Sequence, residues 1–160
     1  MTEIAWDVET LAGDLEAAEK IIADGCDRYA AMGKPSPMLE SFLALTQIAR
    51  GRAVDVDRLT EIAANETGWI RATRLRVVAL ARAMAGDLDE AETQARAAVE
   101  AFTSTDFLTF HADALLTLGD VLRTAGRRPE ADAAFHEALD LFGRKGSIVG
   151  VRVAEARLAG

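Results

Sequence analysis

Residues 117–142, TLGDVLRTAGRRPEADAAFHEALDLF, and residues 79–102, ALARAMAGDLDEAETQARAAVEAF, are two copies of one pattern. With Gly126 laid on Gly86, Glu130 falls on Glu90, Ala131 on Ala91, Ala138 on Ala98, Leu139 on Val99 and Phe142 on Phe102. Upstream, Gly119 falls on Ala79 and Leu118 on Val78. The frame also fits near the start: Gly13-Asp14-Leu15 matches Gly86-Asp87-Leu88, Ala18 matches Ala91, and Tyr29 stands where Phe102 and Phe142 stand. A weaker copy centres on Gly51, with Ala44 before it and Val56, Ala63 and Ala64 after it. The four glycines are separated by 38, 35 and 40 residues, the spacing of a repeat whose loops vary in length.

Each copy has a physical logic. The glycine sits between two helical patterns, where a tight reversal needs a left-handed backbone that side chains resist. The second helix opens on Asp14, on Asp87, or on Pro129 followed by Glu130: acids at the positive end of the helix dipole, and a proline where the missing N–H costs nothing. Recurring alanines let paired helices approach closely, and the large residues beyond them fill the space toward the next copy. A single hairpin cannot bury its apolar side alone, so the copies must stack.

The pattern predicts helices over 1–12 and 14–31, 37–50 and 53–66, 68–85 and 87–103, 106–125 and 129–143, with a ninth over 147–159. Ser36 is expected to cap the third helix with Pro37 as its first residue, Asp106 or Thr105 to cap the seventh, and Ser147 to cap the last after a stop at Gly143 to Gly146. The last helix, with Ile148, Val151 and Leu158, reads as a lid over the fourth copy. One repeat domain over 1–160 follows, with copies at 1–34, 35–67, 68–104 and 105–145 and a cap at 146–160. The first two copies are degenerate, since Glu40 and Thr60 occupy positions where apolar packing is expected.

From residue 105 onward the chain resembles the tetratricopeptide-type tails of large multidomain regulators from high-GC (actinobacterial) bacteria. In those proteins helical repeats follow an ATPase joined to a DNA-binding LuxR-like or nucleotide-cyclase module. The likeness rests on Thr105-Asp106, on His111-Ala112-Asp113-Ala114-Leu115, on the turn Ala125-Gly126-Arg127, on Glu130-Ala131 and on Lys145-Gly146. It covers residues 75–160; the remainder resembles generic repeats. The resemblance implies an all-α, right-handed superhelix of about four hairpins with a C-terminal capping helix, and a regulatory or partner-binding role. It carries over no catalytic residue.

Composition bounds the function classes. The net charge of −8 repels phosphate backbones, so nucleic acid is not an expected direct partner. Arg71, Arg74, Arg76 and Arg82 form a basic stretch without acids over 69–85, which reads as solvated faces and inter-helix pairing. The start, MTEIAWDVETL, has neither a basic n-region nor an apolar h-region, and no run reaches membrane-spanning length; a cytoplasmic protein, or a cytoplasmic piece of one, without membrane contact is the expectation. Cys26, the one cysteine, reads as a small apolar filler.

No residue set for chemistry stands out. AMGKPS and GRKGS lack the spacing and the preceding strand of a phosphate-binding loop. His111, expected at an exposed helix start, and His136, expected on a solvated face, are 25 residues apart and make no metal set. Asp87, Asp89, Glu90 and Glu92 read as the first turn of a helix. The expectation is therefore a non-enzymatic protein without cofactor or metal.

In stacked hairpins the first helix of each pair lines the concave side. That places Thr73, Arg76, Leu80 and Met84 there from the third copy, Asp113, Leu116, Asp120 and Arg123 from the fourth, and Met38, Ser41, Leu45 and Ile48 from the second. Arg76, Asp120 and Arg123 are the leading candidates. Such a groove suits a protein or peptide partner, and Trp6 and Trp69 read either as anchors or as filler between copies. The alternative is a structural module that forms a homodimer through apolar surface around Met38, Phe42 and Leu45. An enzymatic or nucleic-acid role for the arginines of 71–82 ranks last.

Overall fold

A computed structural model describes residues 13–160. The helix expected over 1–12, with Trp6, lies outside the described residues. The described chain is all-α, with no strand, and holds eight helices. These are α1 (Leu15–Ala31), α2 (Pro37–Ala49), α3 (Val56–Asn65), α4 (Gly68–Met84), α5 (Leu88–Thr103), α6 (Leu108–Thr124), α7 (Arg128–Lys145) and α8 (Ile148–Ala159). Each predicted element from 14 onward is present, with ends displaced by three residues at most. Among the described residues no helix is long and apolar enough to cross a membrane.

The chain divides into two compact units, one ending at Asp55 and the other spanning Val56–Gly160. The division falls inside 35–67, the stretch read as the second copy, and leaves α2 with α1 and α3 with α4.

One helix stop recurs. Gly86 has φ +84° and its N–H donates to Ala83 O at 3.1 Å, while Asp87 N–H reaches back to Arg82 O at 3.0 Å. Gly126 repeats this with φ +76°, donating to Arg123 O at 3.0 Å, and Arg127 N–H reaches Leu122 O at 2.9 Å. The same pair of bonds closes α1 at Gly33, α2 at Gly51 and α7 at Gly146. At Gly86 and Gly126 a Cβ would meet nothing within 4 Å, so the requirement for glycine is the left-handed backbone and not lack of room.

Helix starts are less uniform. Asp14 accepts from Ala17 N–H at 2.9 Å, Ser36 from Leu39 N–H at 3.4 Å, and Ser147 from Gly150 N–H at 3.2 Å, as the capping rules require. The cap expected from Asp106 is absent: the N-cap of α6 is Phe107, without a side-chain cap bond. Thr105 instead donates to Phe102 O at 2.8 Å and accepts from Phe107 N–H at 3.3 Å, which fixes the α5–α6 turn and starts the helix later. Gly143, expected in the stop, lies inside α7, and Gly146 alone turns left-handed.

The second unit carries the larger core. Ala79, Ala91, Ala95, Leu115, Leu118, Val121, Ala131, Phe135, Ala138 and Phe142 form one buried cluster, so the recurring alanines do line the helix seams. Two glycines are seats for rings: a Cβ on Gly119 of α6 would collide with the ring of Phe135, and one on Gly150 of α8 with the ring of Phe142. Burying each ring fully contributes about 1.5–3 kcal/mol. Phe102, stacked on Phe110 at 5.9 Å, joins α5 to α6. Arg74 is 1% exposed and is gripped by Glu66 through two bonds of 2.9 Å, a fork geometry that satisfies a charge the core would otherwise reject.

In the first unit, Ala18 and Ile22 of α1 and Leu39 and Ala44 of α2 are buried. Glu19 of α1 takes Arg50 at 2.6 Å and Arg52 at 2.7 Å, pinning the end of α2 to α1. In the second unit the half-buried Thr60 of α3 is tolerated because its hydroxyl donates to Val56 O at 2.8 Å.

Candidate partner-binding face

Arg76, Leu80 and Met84 recur every four residues along α4 and so share one side of it. Leu80 is half-buried and Met84 is 51% exposed. Beside them α6 presents Asp113, Asp120 and Arg123, and α8 adds Arg157, a residue the sequence reading did not single out. Arg76 donates from Nε to Thr117 Oγ1 at 3.3 Å and sets a second nitrogen 3.6 Å from Asp113 Oδ2. The Thr117 hydroxyl donates onward to Asp113 O at 3.1 Å, so it gives and receives at once. Asp120 receives Arg123 at 2.9 Å and Arg157 Nε at 3.1 and 3.0 Å on its two oxygens. Arg123 also donates to Arg157 O at 3.1 Å and lies over the Phe135 ring, 5.2 Å from its centroid.

The three leading candidates thus fall in two adjoining bonded clusters, Arg76 with Thr117 and Asp113, and Asp120 with Arg123 and Arg157. The charge of Arg157 acts on both Arg76 and Asp113, which makes the clusters one electrostatic network from α4 across α6 to α8. Three arginines against two aspartates leave it one positive charge on a molecule of net charge −8. Burial pulls the Arg76 guanidinium below its ordinary range, Asp113 opposes that shift and Arg157 adds to it. Burial pushes the Asp113 carboxyl up, against the pull of Arg76 and Arg157. Arg76 and Asp113 thus each favour the other's charge against the cost of burial.

Two of the eight candidates do not present surface. Thr73 is 1% exposed and its hydroxyl donates to Trp69 O at 3.0 Å; Leu116 is 6% exposed and belongs to the core cluster. Each lies one helical step toward the helix packing seam. In the first unit Ser41 is buried with its hydroxyl on Pro37 O at 2.9 Å, while Met38, Phe42, Leu45 and Ile48 are half-buried. Trp69 is 37% exposed and packs 6.0 Å from Phe110, which also meets Phe107 edge-on at 6.2 Å.

The arginine stretch is largely paired. Arg74 binds Glu66, Arg76 meets Asp113, and Arg82 reaches Asp57 at 3.2 Å and Asp87 at 3.7 Å. His111 is buried at 9%, contrary to the exposed helix start expected of it, because α6 turns its first residues inward; His136 is exposed. Cys26 is half-buried, and burial, with Glu40 and Asp27, pushes its thiol up, away from thiolate reactivity. Among the described residues no group of three His, Cys, Asp or Glu side chains is placed to hold a metal ion.

Arg157 had a signal in the sequence. Carried forward another 40 residues, the repeat frame sets Ala154 on Ala114, Arg157 on Thr117 and Leu158 on Leu118, which makes α8 the counterpart of a first helix. Ala154 and Ala114 are both 0% exposed. The fold and face define a class, an all-α protein of successive helical hairpins with a charged network across its first helices. No protein-family model, no curated protein and no solved structure matches the chain.

Proposed function

We propose that the face shared by α4, α6 and α8 holds a peptide or helical segment of another protein. The chain is then a non-catalytic, cytoplasmic recognition module of a bacterial transcriptional or signalling regulator. In this reading the hairpins form a right-handed superhelix of the tetratricopeptide kind, and the face lines its concave side. The observation that carries the proposal is the network of Arg76, Asp113, Asp120, Arg123 and Arg157 gathered from three helices beside the exposed Met84. Ion pairs in such a setting contribute little that apolar packing would not supply, so stability alone is a weak reason for three of them. A partly desolvated charged patch next to an apolar end suits a partner segment with carboxylates at one end and an apolar side chain at the other.

A peptide-display selection against the folded protein tests this. Selected peptides are expected to be acidic with an apolar anchor and to lose at least about tenfold in affinity, equivalent to about 1.4 kcal/mol, against Met84→Asp and Arg157→Gln. His136→Ala, on the exposed side of α7, is expected to leave binding unchanged. Peptides that ignore both face variants, or that respond to His136→Ala instead, would overturn the assignment.

A further inference from the structure

The outward side of α8 has an order of its own. Ile148, Arg152, Glu155 and Ala159 are all exposed and follow one another at steps of four, three and four, so they form a single stripe along the helix. Ile148 is 71% exposed and the adjacent Val149 41%, among the most open large apolar side chains described. Arg152 and Glu155 stand one turn apart, and neither forms an ion pair with the other or with any other described residue.

The stripe is self-complementary. Turned end for end about a point midway between residues 153 and 154, it carries Ile148 onto Ala159 and Arg152 onto Glu155. We propose that α8 pairs antiparallel with the α8 of a second copy of this chain. Across the two-fold axis Arg152 of each copy then meets the partner's Glu155, and each Ile148 covers the partner's Ala159. The contact is isologous, as closed dimers require. It uses the side of α8 opposite Arg157, so it stands independently of the binding face.

The stripe is about 17 Å long at 1.5 Å per residue, too short to cover the roughly 800 Å² per partner of a standard stable interface. The dimer is therefore weak and concentration-dependent. Sedimentation equilibrium of the full chain from roughly 10 µM to about 1 mM, the range such affinities occupy, should show reversible dimerisation. Arg152→Glu places glutamates opposite glutamates twice, and Glu155→Arg does the same with arginines; each should weaken self-association about tenfold or more. Mixing the two variants should restore pairing as a heterodimer, and the double exchange R152E/E155R should restore the homodimer. Circular dichroism of these exposed-site variants reports that the helices are intact. A strict monomer throughout the concentration range overturns the proposal. So does a dimer indifferent to both charge reversals, which would locate the contact elsewhere, such as around Met38, Phe42 and Leu45.

Discussion

The hairpins α4/α5 and α6/α7 occupy the same repeat frame 40 residues apart, and they fill its closest point in two ways. In the first, Ala79 and Ala95 both lie in the buried seam. In the second, the corresponding residues are Gly119 and Phe135, and the ring takes the space that a methyl on residue 119 would need. The frame conserves the bulk between the helices and not the residue on either side. Charge is redistributed in the same manner: Arg74 of α4, buried on Glu66, corresponds to the fully buried Ala114 of α6, and Glu66 corresponds to the exposed Asp106. At this place in the frame one hairpin anchors its first helix with an ion pair and the other with an apolar contact.

That contrast is broken most sharply at the ion pair. Glu66→Ala withdraws the carboxylate from a guanidinium that is 1% exposed and is expected to cost about 3–5 kcal/mol, read as a loss in denaturant midpoint. Asp106→Ala, at the corresponding place, should stay within about 0.5 kcal/mol of the parent. Equal effects would mean that the two hairpins are not anchored differently.

The seam gives the next largest effect. Gly119→Ala gains helix propensity but drives a Cβ into a fully buried ring, and the expected net loss is about 1–3 kcal/mol. Ala79→Gly in the other hairpin should lose only about 0.5–1 kcal/mol, chiefly through backbone entropy. Gly119→Ala combined with Phe135→Leu should recover part of the loss, since the neighbour that caused it has shrunk.

Helix starts differ on the same frame, where Ser147 of α8 corresponds to Phe107 of α6. Ser147→Ala removes a hydroxyl that accepts from Gly150 N–H, at a cost of about 1 kcal/mol, measurable as a drop in Tm.

The smallest effect sets two carboxylates of the second hairpin apart by pH. Asp113 of α6 has its carboxyl raised by burial, so it binds its proton more tightly in the folded chain than in the unfolded one. Its contribution to stability is complete below its unfolded pKa and is lost as pH rises through the higher folded value. Glu130, in the first turn of α7, is held low by hydrogen bonds from Arg127, and its contribution is lost as pH falls. Across thermal melts from about pH 3 to about pH 7, around the ordinary carboxylate range, Asp113→Asn should gain on the parent as pH rises while Glu130→Gln should lose. Parallel curves for both variants would contradict the upward shift assigned to Asp113.

How much was legible follows from these particulars. Helices from 14 onward could be read because the glycine stops and alanine seams are backbone requirements, visible wherever left-handed turns and close approaches recur. Ser36 and Ser147 were legible as caps for the same local reason. Asp106 was not, because Thr105 satisfies the turn one residue earlier and delays the helix start. The candidate face was half legible. A four-residue step finds the side of α4 that carries Arg76 and Met84, but a small rotation buries Thr73 and Leu116, and rotation depends on packing that a single copy does not encode. Arg157 was missed because α8 read as a lid, whereas the frame continues through it.

The most direct test of the account is nuclear magnetic resonance of the 15N-labelled protein titrated with a display-selected peptide, following the side-chain Nε–Hε signals of Arg76, Arg123 and Arg157. These three signals are expected to shift together with the amides around Met84, while Glu100 on α5 and His136 and Glu137 on α7 stay in place. Shifts confined to α5 and α7, with the three arginine signals unmoved, would contradict it.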